Sequence, residues 1–292
     1  MNELLRRIVV VGASGQLGSD LIVAFGGLDV KGVDHALVDI ERPASVAAMI
    51  ARERPSLVVN TAAYHNVERC ETHADRAFAV NSTAVDTLAS LCAATGTALA
   101  HISTDYVFDG ASRTPYEESA PARPLNVYGI SKYAGELAVA ARSERHFIFR
   151  TSSLYGTRGS STKGYTFVER IREQARTGRP LRIVDDTTMA PSYTAHVAAT
   201  IRAVLETGRF GTYHVTNAGS CTWYEFAVEI LSASGIAAQV ERTTSDAFPS
   251  YARRPAYSVL AHAALARAGV ALPPHWRDGL RDYLQAKDGA SA

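Results

Sequence analysis

Short apolar runs alternate with stretches of helical periodicity through the first half of the chain. Ile8–Val11, Val30–Val33, Leu57–Asn60, Ala98–Ile102 and His146–Arg150 read as strands. Leu17–Phe25, Ala44–Ala51, Ala74–Ala94 and Val127–Arg142 read as helices. Pro43 suits the first turn of the second helix, where a backbone N–H would have no partner. Strands this uniformly apolar are buried on both faces. Their alternation with helices of about 10–15 residues calls for a parallel sheet covered by helices on both sides.

After about residue 150 the rhythm weakens. Thr166–Thr177, Trp223–Ala233, Ser258–Gly269 and Trp276–Gln285 read as helices, Leu181–Val184 and Thr212–Val215 as strands, and Ser245–Arg254 as irregular. Gly156–Gly164 is a Gly/Ser/Thr loop, open between a segment that closes over a ligand and one that is merely loose. Trp223, Tyr224 and Phe226 read as core of this second part. The expected fold class is α/β. A Rossmann-type doubly wound parallel sheet spans residues 1–152, and a smaller C-terminal α/β substrate-binding domain spans 153–292, with some of its segments returning to the core.

Composition narrows the function classes. The chain has 292 residues, with 30 basic and 29 acidic side chains and 47% hydrophobic residues. Disorder is excluded, and no strongly basic surface is available to hold nucleic acid. No apolar run reaches the roughly 18 residues of a membrane span, and the short polar lead before Ile8 lacks a signal peptide's cleavage region. Cys70, Cys92 and Cys221 are an odd number set far apart, which argues against a disulfide framework or a CxxC site and for a reducing, cytoplasmic compartment. No two of the nine histidines lie within five residues, so helical metal-ligand pairs are absent, most histidines read as surface or packing residues, and no metal is expected.

The candidate chemistry begins at Gly12-Ala-Ser-Gly15-Gln-Leu-Gly18, between the first strand and the first helix. Glycine allows a tight turn and close backbone approach to a pyrophosphate, and the helix N-terminus presents unpaired N–H groups to it. A turn that merely packs helix on strand has the same spacing, but the position directly after the first strand favours the phosphate reading. Asp34, at the end of the second strand, suits the adenosine ribose hydroxyls and repels a 2′-phosphate; the alternative is a solvated turn residue. Arg42 is within reach of a 2′-phosphate, so NADH and NADPH both stay open. Asp39 and Ile40 are candidates for the adenine side, with the same alternative.

Tyr128-Gly-Ile-Ser-Lys132 sets a phenol and an ammonium four residues apart on one helical face. Tyrosine, with a pKa of about 10, is a poor proton donor and acceptor at neutral pH unless a nearby cation favours the phenolate. An exposed helical pair is the alternative. Ligands of open α/β sheets bind outside the carboxyl ends of the strands, which places Thr104, at the end of the fourth strand, to share a substrate oxygen with Tyr128. A strand-end capping hydroxyl is the alternative there.

These pieces resemble the extended short-chain dehydrogenase/reductases and, more narrowly, the dTDP-4-dehydrorhamnose reductase family. The resemblance runs through Gly12–Gly18, Val59–Tyr64, Val67–Glu71, Ser103–Gly110, Asn126–Lys132, Phe149–Ser152, Pro191–Thr194, Gly211–Asn217, Trp223–Phe226 and Arg254–Leu260. It implies hydride transfer from NADH or NADPH to the C4 carbonyl of dTDP-6-deoxy-L-lyxo-4-hexulose, giving dTDP-L-rhamnose. In that scheme Tyr128 supplies the proton, Lys132 tunes Tyr128 and holds the cofactor ribose, and Thr104 bonds the sugar oxygen. Asp105, Val107 and Phe108 would line the sugar pocket. Gly15, Gln16, Leu17, Asp39, Ile40, Ala62, Ala63 and Tyr64 would contact the dinucleotide. Arg254 is the candidate for the substrate diphosphate, because guanidinium binds phosphate oxygens in pairs; a surface ion pair is the alternative.

Some positions depart from the family pattern. Ser153 stands where the family usually has Trp beside the sugar, and Thr166–Val168, Asp186-Thr187 and Met189 also differ. Hydride-transfer chemistry is therefore better supported than the identity of the sugar. A related 4-keto sugar, giving for example 6-deoxy-L-talose, is one alternative, and a non-catalytic dinucleotide-binding regulatory subunit is another. Dehydration is disfavoured because Tyr106, not a second acid, follows Asp105. Glu68 and Glu71 read as a solvated first helical turn. Some relatives are linked through Mg²⁺ held by acidic residues, but Gly289–Ala292 offers no ligand for it. The expected partner is a nucleotide sugar, with no nucleic acid and no membrane, and the chain is expected to act as a monomer or homodimer.

Overall fold

A computed structural model describes residues 3–158 and 164–289. The middle of the expected Gly156–Gly164 loop and the last three residues lie outside the described residues. The strands are β1 (Ile8–Val11), β2 (Val30–Val33), β3 (Leu57–Asn60), β4 (Ala98–Thr104), β5 (His146–Thr151), β6 (Leu154–Tyr155), β7 (Leu181–Val184), β8 (Thr188–Met189), β9 (Ser192–Tyr193), β10 (Gly211–His214), β11 (Cys221–Thr222) and β12 (Val240–Thr243). The helices are α1 (Gln16–Ala24), α2 (Pro43–Glu53), α3 (Val67–Thr72), α4 (Ala74–Phe78), α5 (Ala84–Ala94), α6 (Val127–Arg142), α7 (Phe167–Ala175), α8 (Thr194–Thr207), α9 (Trp223–Ala233), α10 (Ala263–Ala268) and α11 (Trp276–Gly289).

Six strands form one parallel sheet in the order β10-β5-β4-β3-β1-β2. The fold is the doubly wound Rossmann type, with helices on both faces. Alternate strand residues feed opposite faces. Ile8, Val10, Leu57, Val59, Phe147 and Phe149 pack under α1 and α8. Val9, Val11, Val58, Leu99 and Ile148 pack under α2 and α5. From β1 the chain crosses to β2 on one side, then returns to β3 on the other. This reversal is the switch point at which such sheets open a crevice.

Several elements differ from their sequence reading. Strand β2, expected to be buried on both faces, buries only Val33, because it lies at the sheet edge and carries Lys31. The helix expected over Ala74–Ala94 is interrupted by a π-helical turn at Ala79–Thr83. By length and composition this stretch could cross a membrane, but Val80, Ala84, Val85, Leu88, Ala89 and Cys92 bury its apolar face against the sheet. The helix expected over Ser258–Gly269 forms only at α10. Its first part is extended, because Ser258 N–H donates to the Thr188 carbonyl and Tyr116 N–H to that of Val259. The strand expected at Thr212–Val215 is β10, at the edge of the main sheet beside β5. Helix α8, which the sequence reading did not single out, leads into β10 and packs on α1. A separate cluster joins α7, α9, α11 and the short strands through Tyr155, Ile171, Tyr193, Phe226, Trp276 and Tyr283.

Candidate active site

The glycine loop is clamped between β1 and β3. Gly12 has φ +81°, and a Cβ there would lie 2.5 Å from Thr61 Oγ1. Thr61 Oγ1 itself donates to the carbonyls of Val11 (2.8 Å) and Gly12 (3.1 Å). A Cβ on Gly18 would strike the Gly12 carbonyl oxygen. Among the described residues no side chain caps the N-terminus of α1 at Gly15, so its N–H groups open on the crevice, and none partners the buried Gln16 Oε1. This cradle fits a dinucleotide pyrophosphate. Leu17 points into the core, so any contact it makes there is through its backbone.

Residues 34–40 and 62–64 border the same crevice from β2 and β3. The Asp34 carboxylate accepts the Ala36 N–H at 3.1 Å, closing its own turn, and Asp39 accepts from Glu41 N–H at 3.1 Å and pairs with Arg42 at 3.2 Å. Ile40 is buried beneath them. Ala62 N–H donates to Asn60 Oδ1 at 3.1 Å, and Ala63 follows it, partly buried. Asn81, presented by the π turn, grips the Tyr64 backbone from both sides: Oδ1 accepts its N–H (2.8 Å) and Nδ2 donates to its carbonyl (3.0 Å). Asn81 Nδ2 also donates to Ser131 Oγ on α6 at 3.0 Å. The π turn thus joins the β3 loop to the helix that carries Tyr128.

Helix α6 is held at its N-terminus. Asn126 Oδ1 accepts the Gly129 N–H at 2.8 Å, and Glu71 accepts the Val127 N–H at 2.8 Å. The Tyr128 ring is partly exposed and meets Tyr106 edge to face at 5.9 Å. Desolvation pushes its phenol above the ordinary range, Thr104 opposes this through a hydrogen bond, and the Asp105 charge raises it further. The hydroxyl and the phenol therefore meet. The lysine does not join them. Lys132 Nζ is buried against β4, donating to the Ile102 carbonyl at 2.6 Å and lying 3.1 Å from His101 Nε2. Burial lowers Lys132 to about 8, with Glu136 opposing. Tyr128 and Lys132 share a helical face as expected, but the four-residue spacing sends the longer side chain past the phenol into the sheet.

Thr104 Oγ1 donates to Asp105 Oδ1 at 3.0 Å and accepts the Tyr106 N–H at 3.2 Å. Asp105 is buried and receives hydroxyls from Thr104, Ser152 (2.8 Å) and Ser258. Burial raises its pKa, and the three hydroxyls pull the other way. Ser152 and Ser258 were not singled out from the sequence, because they reach Asp105 from the residue after β5 and from a distant extended segment.

Val107 and Phe108 correct an expectation. Neither has any exposed surface, so they back the pocket wall instead of lining it. Phe108 stacks on Tyr116 at 4.3 Å, with the Arg150 guanidinium 5.2 Å above its ring. Arg150 is tied by three hydrogen bonds to the buried Glu136 of α6. Ser153 is partly buried with φ +45°, its Oγ 3.4 Å from that of Ser152. Arg254 pairs with Glu68 of α3 at 2.7 Å. Glu68 also accepts from Ser250 Oγ (2.7 Å) and Tyr251 N–H (3.0 Å). Burial raises the Glu68 pKa, but these donors outweigh it and hold it below the ordinary range. Glu68 and Glu71 are thus clamps on the 250–254 strap and on α6, not merely a solvated turn.

His101 and Asn60 were also missed. Each is a polar side chain in an apolar strand with no exposed surface, and that interruption was the available signal, since a buried polar group needs a partner.

The family described as RmlD substrate binding domain matches residues 6–288. A dTDP-4-dehydrorhamnose reductase of Burkholderia thailandensis is 36% identical, with 93% of this chain and 95% of the relative covered. A dTDP-4-keto-6-deoxy-D-glucose reductase of Streptomyces niveus is also 36% identical, with 94% and 95% covered. The crystal structure of dTDP-4-dehydrorhamnose reductase from Bacillus anthracis in complex with NADP superposes with a TM-score of 0.91 at 34% identity, covering 96% of this chain and 99% of that one.

Proposed function

The chain belongs to the RmlD substrate binding domain family, and from that membership we propose an NAD(P)H-dependent reductase of a dTDP-4-keto-6-deoxy sugar. The reaction is reduction of the C4 carbonyl of dTDP-6-deoxy-L-lyxo-4-hexulose to dTDP-L-rhamnose. The observation that carries this reading is that Thr104, at the carboxyl end of β4, and Tyr128, at the start of α6, both meet Tyr106, one at its N–H and the other at its ring, two strands from the glycine cradle.

The cradle formed by Gly12, Gly15 and Gly18 and the N-terminus of α1 would hold the dinucleotide. Asp34, Asp39 and Ile40 would border its adenosine, and Ala62–Tyr64 its middle. When bound, the reduced nicotinamide supplies the hydride to the carbonyl carbon. Tyr128 gives the developing alkoxide its proton, and the Thr104 hydroxyl turns its proton from Asp105 to the resulting phenolate. Lys132 holds the cofactor ribose once its ammonium faces the crevice. Arg254 meets the substrate diphosphate by exchanging Glu68 for phosphate oxygens. In this reading residues 1–152 supply cofactor binding and catalysis, and most of 153–292 the substrate wall. The chain acts in the cytoplasm as a monomer or homodimer. Free, buried Cys70, Cys92 and Cys221 suit a reducing compartment.

The test is incubation with dTDP-6-deoxy-L-lyxo-4-hexulose and NADPH or NADH, followed by analysis of the product. Expected is oxidation of the cofactor with formation of dTDP-L-rhamnose. Cofactor binding without turnover on a panel of 4-keto sugars would sink the reductase reading and favour a regulatory subunit. Reduction of a related sugar is the second reading, motivated by Ser153 and by the equally similar dTDP-4-keto-6-deoxy-D-glucose reductase. Configuration at the new hydroxyl separates the two.

A further inference from the structure

Asn60 and His101 are register partners across β3 and β4, and both are fully buried. Each ring nitrogen of His101 faces a nitrogen. Nδ1 is 3.2 Å from Asn60 Nδ2, and Nε2 is 3.1 Å from Lys132 Nζ. The Asn60 amide cannot be turned round, because its Oδ1 accepts the Ala62 backbone N–H, which only donates. Nδ2 therefore donates to Nδ1. A neutral imidazole that accepts at Nδ1 carries its proton on Nε2, and that proton points at Lys132. Imidazolium is excluded, since Nδ1–H would then oppose the amide N–H. An ammonium has no lone pair to receive Nε2–H, whereas an amine has one. The contact of Nζ with the Ile102 carbonyl takes an N–H from either form.

We propose that His101, locked by Asn60, is a positioning residue that favours the neutral amine of Lys132 while the crevice holds no cofactor. Burial acts in the same direction on both groups, lowering His101 well below its ordinary range and Lys132 to about 8. The opposing group is Glu136, one turn along α6, whose charge is largely engaged by Arg150 of β5. On the other elements packed against α6, Glu71 of α3 is committed to Val127 N–H, Asp86 of α5 to Arg142, and Asp105 to its three hydroxyls. In the reductase reading, on which this consequence rests, cofactor binding is coupled to net proton uptake from solvent. Lys132 must become an ammonium, and leave His101, before it favours a phenolate.

The experiment is nitrogen NMR of histidine-labelled, cofactor-free protein at about pH 7.5, with residue 101 assigned by through-bond correlation. Expected is the Nε2–H tautomer of neutral imidazole; the Nδ1–H tautomer or an imidazolium overturns the proposal. The companion is His101→Gln, whose side-chain carbonyl can face Nζ and favour the ammonium. The alkaline limb of the kcat/KM profile for the reduced cofactor, which reports the free enzyme, should then rise by about one pH unit, a tenfold change in proton activity. A lower kcat/KM at every pH with the limb unmoved is a structural effect and also overturns the proposal. A protein inactive on every nucleotide sugar refutes the reductase reading, but the tautomer still decides this one.

Discussion

Changing Tyr128 to phenylalanine removes one oxygen and leaves its helix anchored. The caps at Asn126 and Glu71 and the Asn81–Ser131 contact do not involve the phenol. The substitution deletes the hydrogen bond between the phenol and Thr104, and Thr104 keeps Asp105 and the Tyr106 N–H as partners. A hydrogen bond of this kind contributes about 1 kcal/mol, partly offset by no longer desolvating the phenol, so stability should change by about that or less. The kinetic effect is larger. Positioned proton donors contribute about 10²–10⁴ in rate, or about 2.7–5.5 kcal/mol of transition-state stabilisation. The assay is single-turnover oxidation of bound reduced cofactor by the 4-keto sugar, with cofactor affinity measured separately. The expected result is that rate loss at unchanged affinity. Thr104→Val should lose about tenfold alone and little more in the Tyr128→Phe background, because both groups act through one phenol. A Tyr128→Phe rate within about threefold of wild type would refute the assignment, as would a loss explained entirely by weaker cofactor binding.

Glu136→Gln leaves the buried Arg150 charge without its partner, and urea unfolding should show a loss of about 3–5 kcal/mol. A change near zero would mean that solvent reaches the pair. The lysine sets a pH dependence. Its pKa falls from 10.5 to about 8 on folding, so between those values the unfolded chain holds the extra proton and stability rises with pH. Wild type should therefore gain on Lys132→Met across that window, and a flat difference in urea midpoints would contradict the burial argument. Glu68→Ala frees Ser250, Tyr251 N–H and Arg254 together, and should raise KM for the nucleotide sugar severalfold at little change in kcat. A lower KM would show instead that Glu68 mainly competes with the substrate for Arg254.

The local grammar of the chain was legible without coordinates. Four-residue apolar runs can be satisfied only by a sheet covered on both faces, and the close approach at Gly12 and Gly18 is written in residue type, because no other side chain fits there. The placement of Tyr128 and Lys132 on one face follows from helical pitch alone. Tertiary structure decided what periodicity does not encode. It put β10 at the edge of the main sheet and opened a π turn that aims Asn81 at both Tyr64 and Ser131. It also brought Ser152 and Ser258 to one carboxylate and drew Lys132 Nζ away from the phenol to His101. These outcomes depend on contacts between residues far apart in sequence. Hydrophobic pattern specifies which face of an element is buried, whereas the partner of a buried polar group is set only when the elements dock.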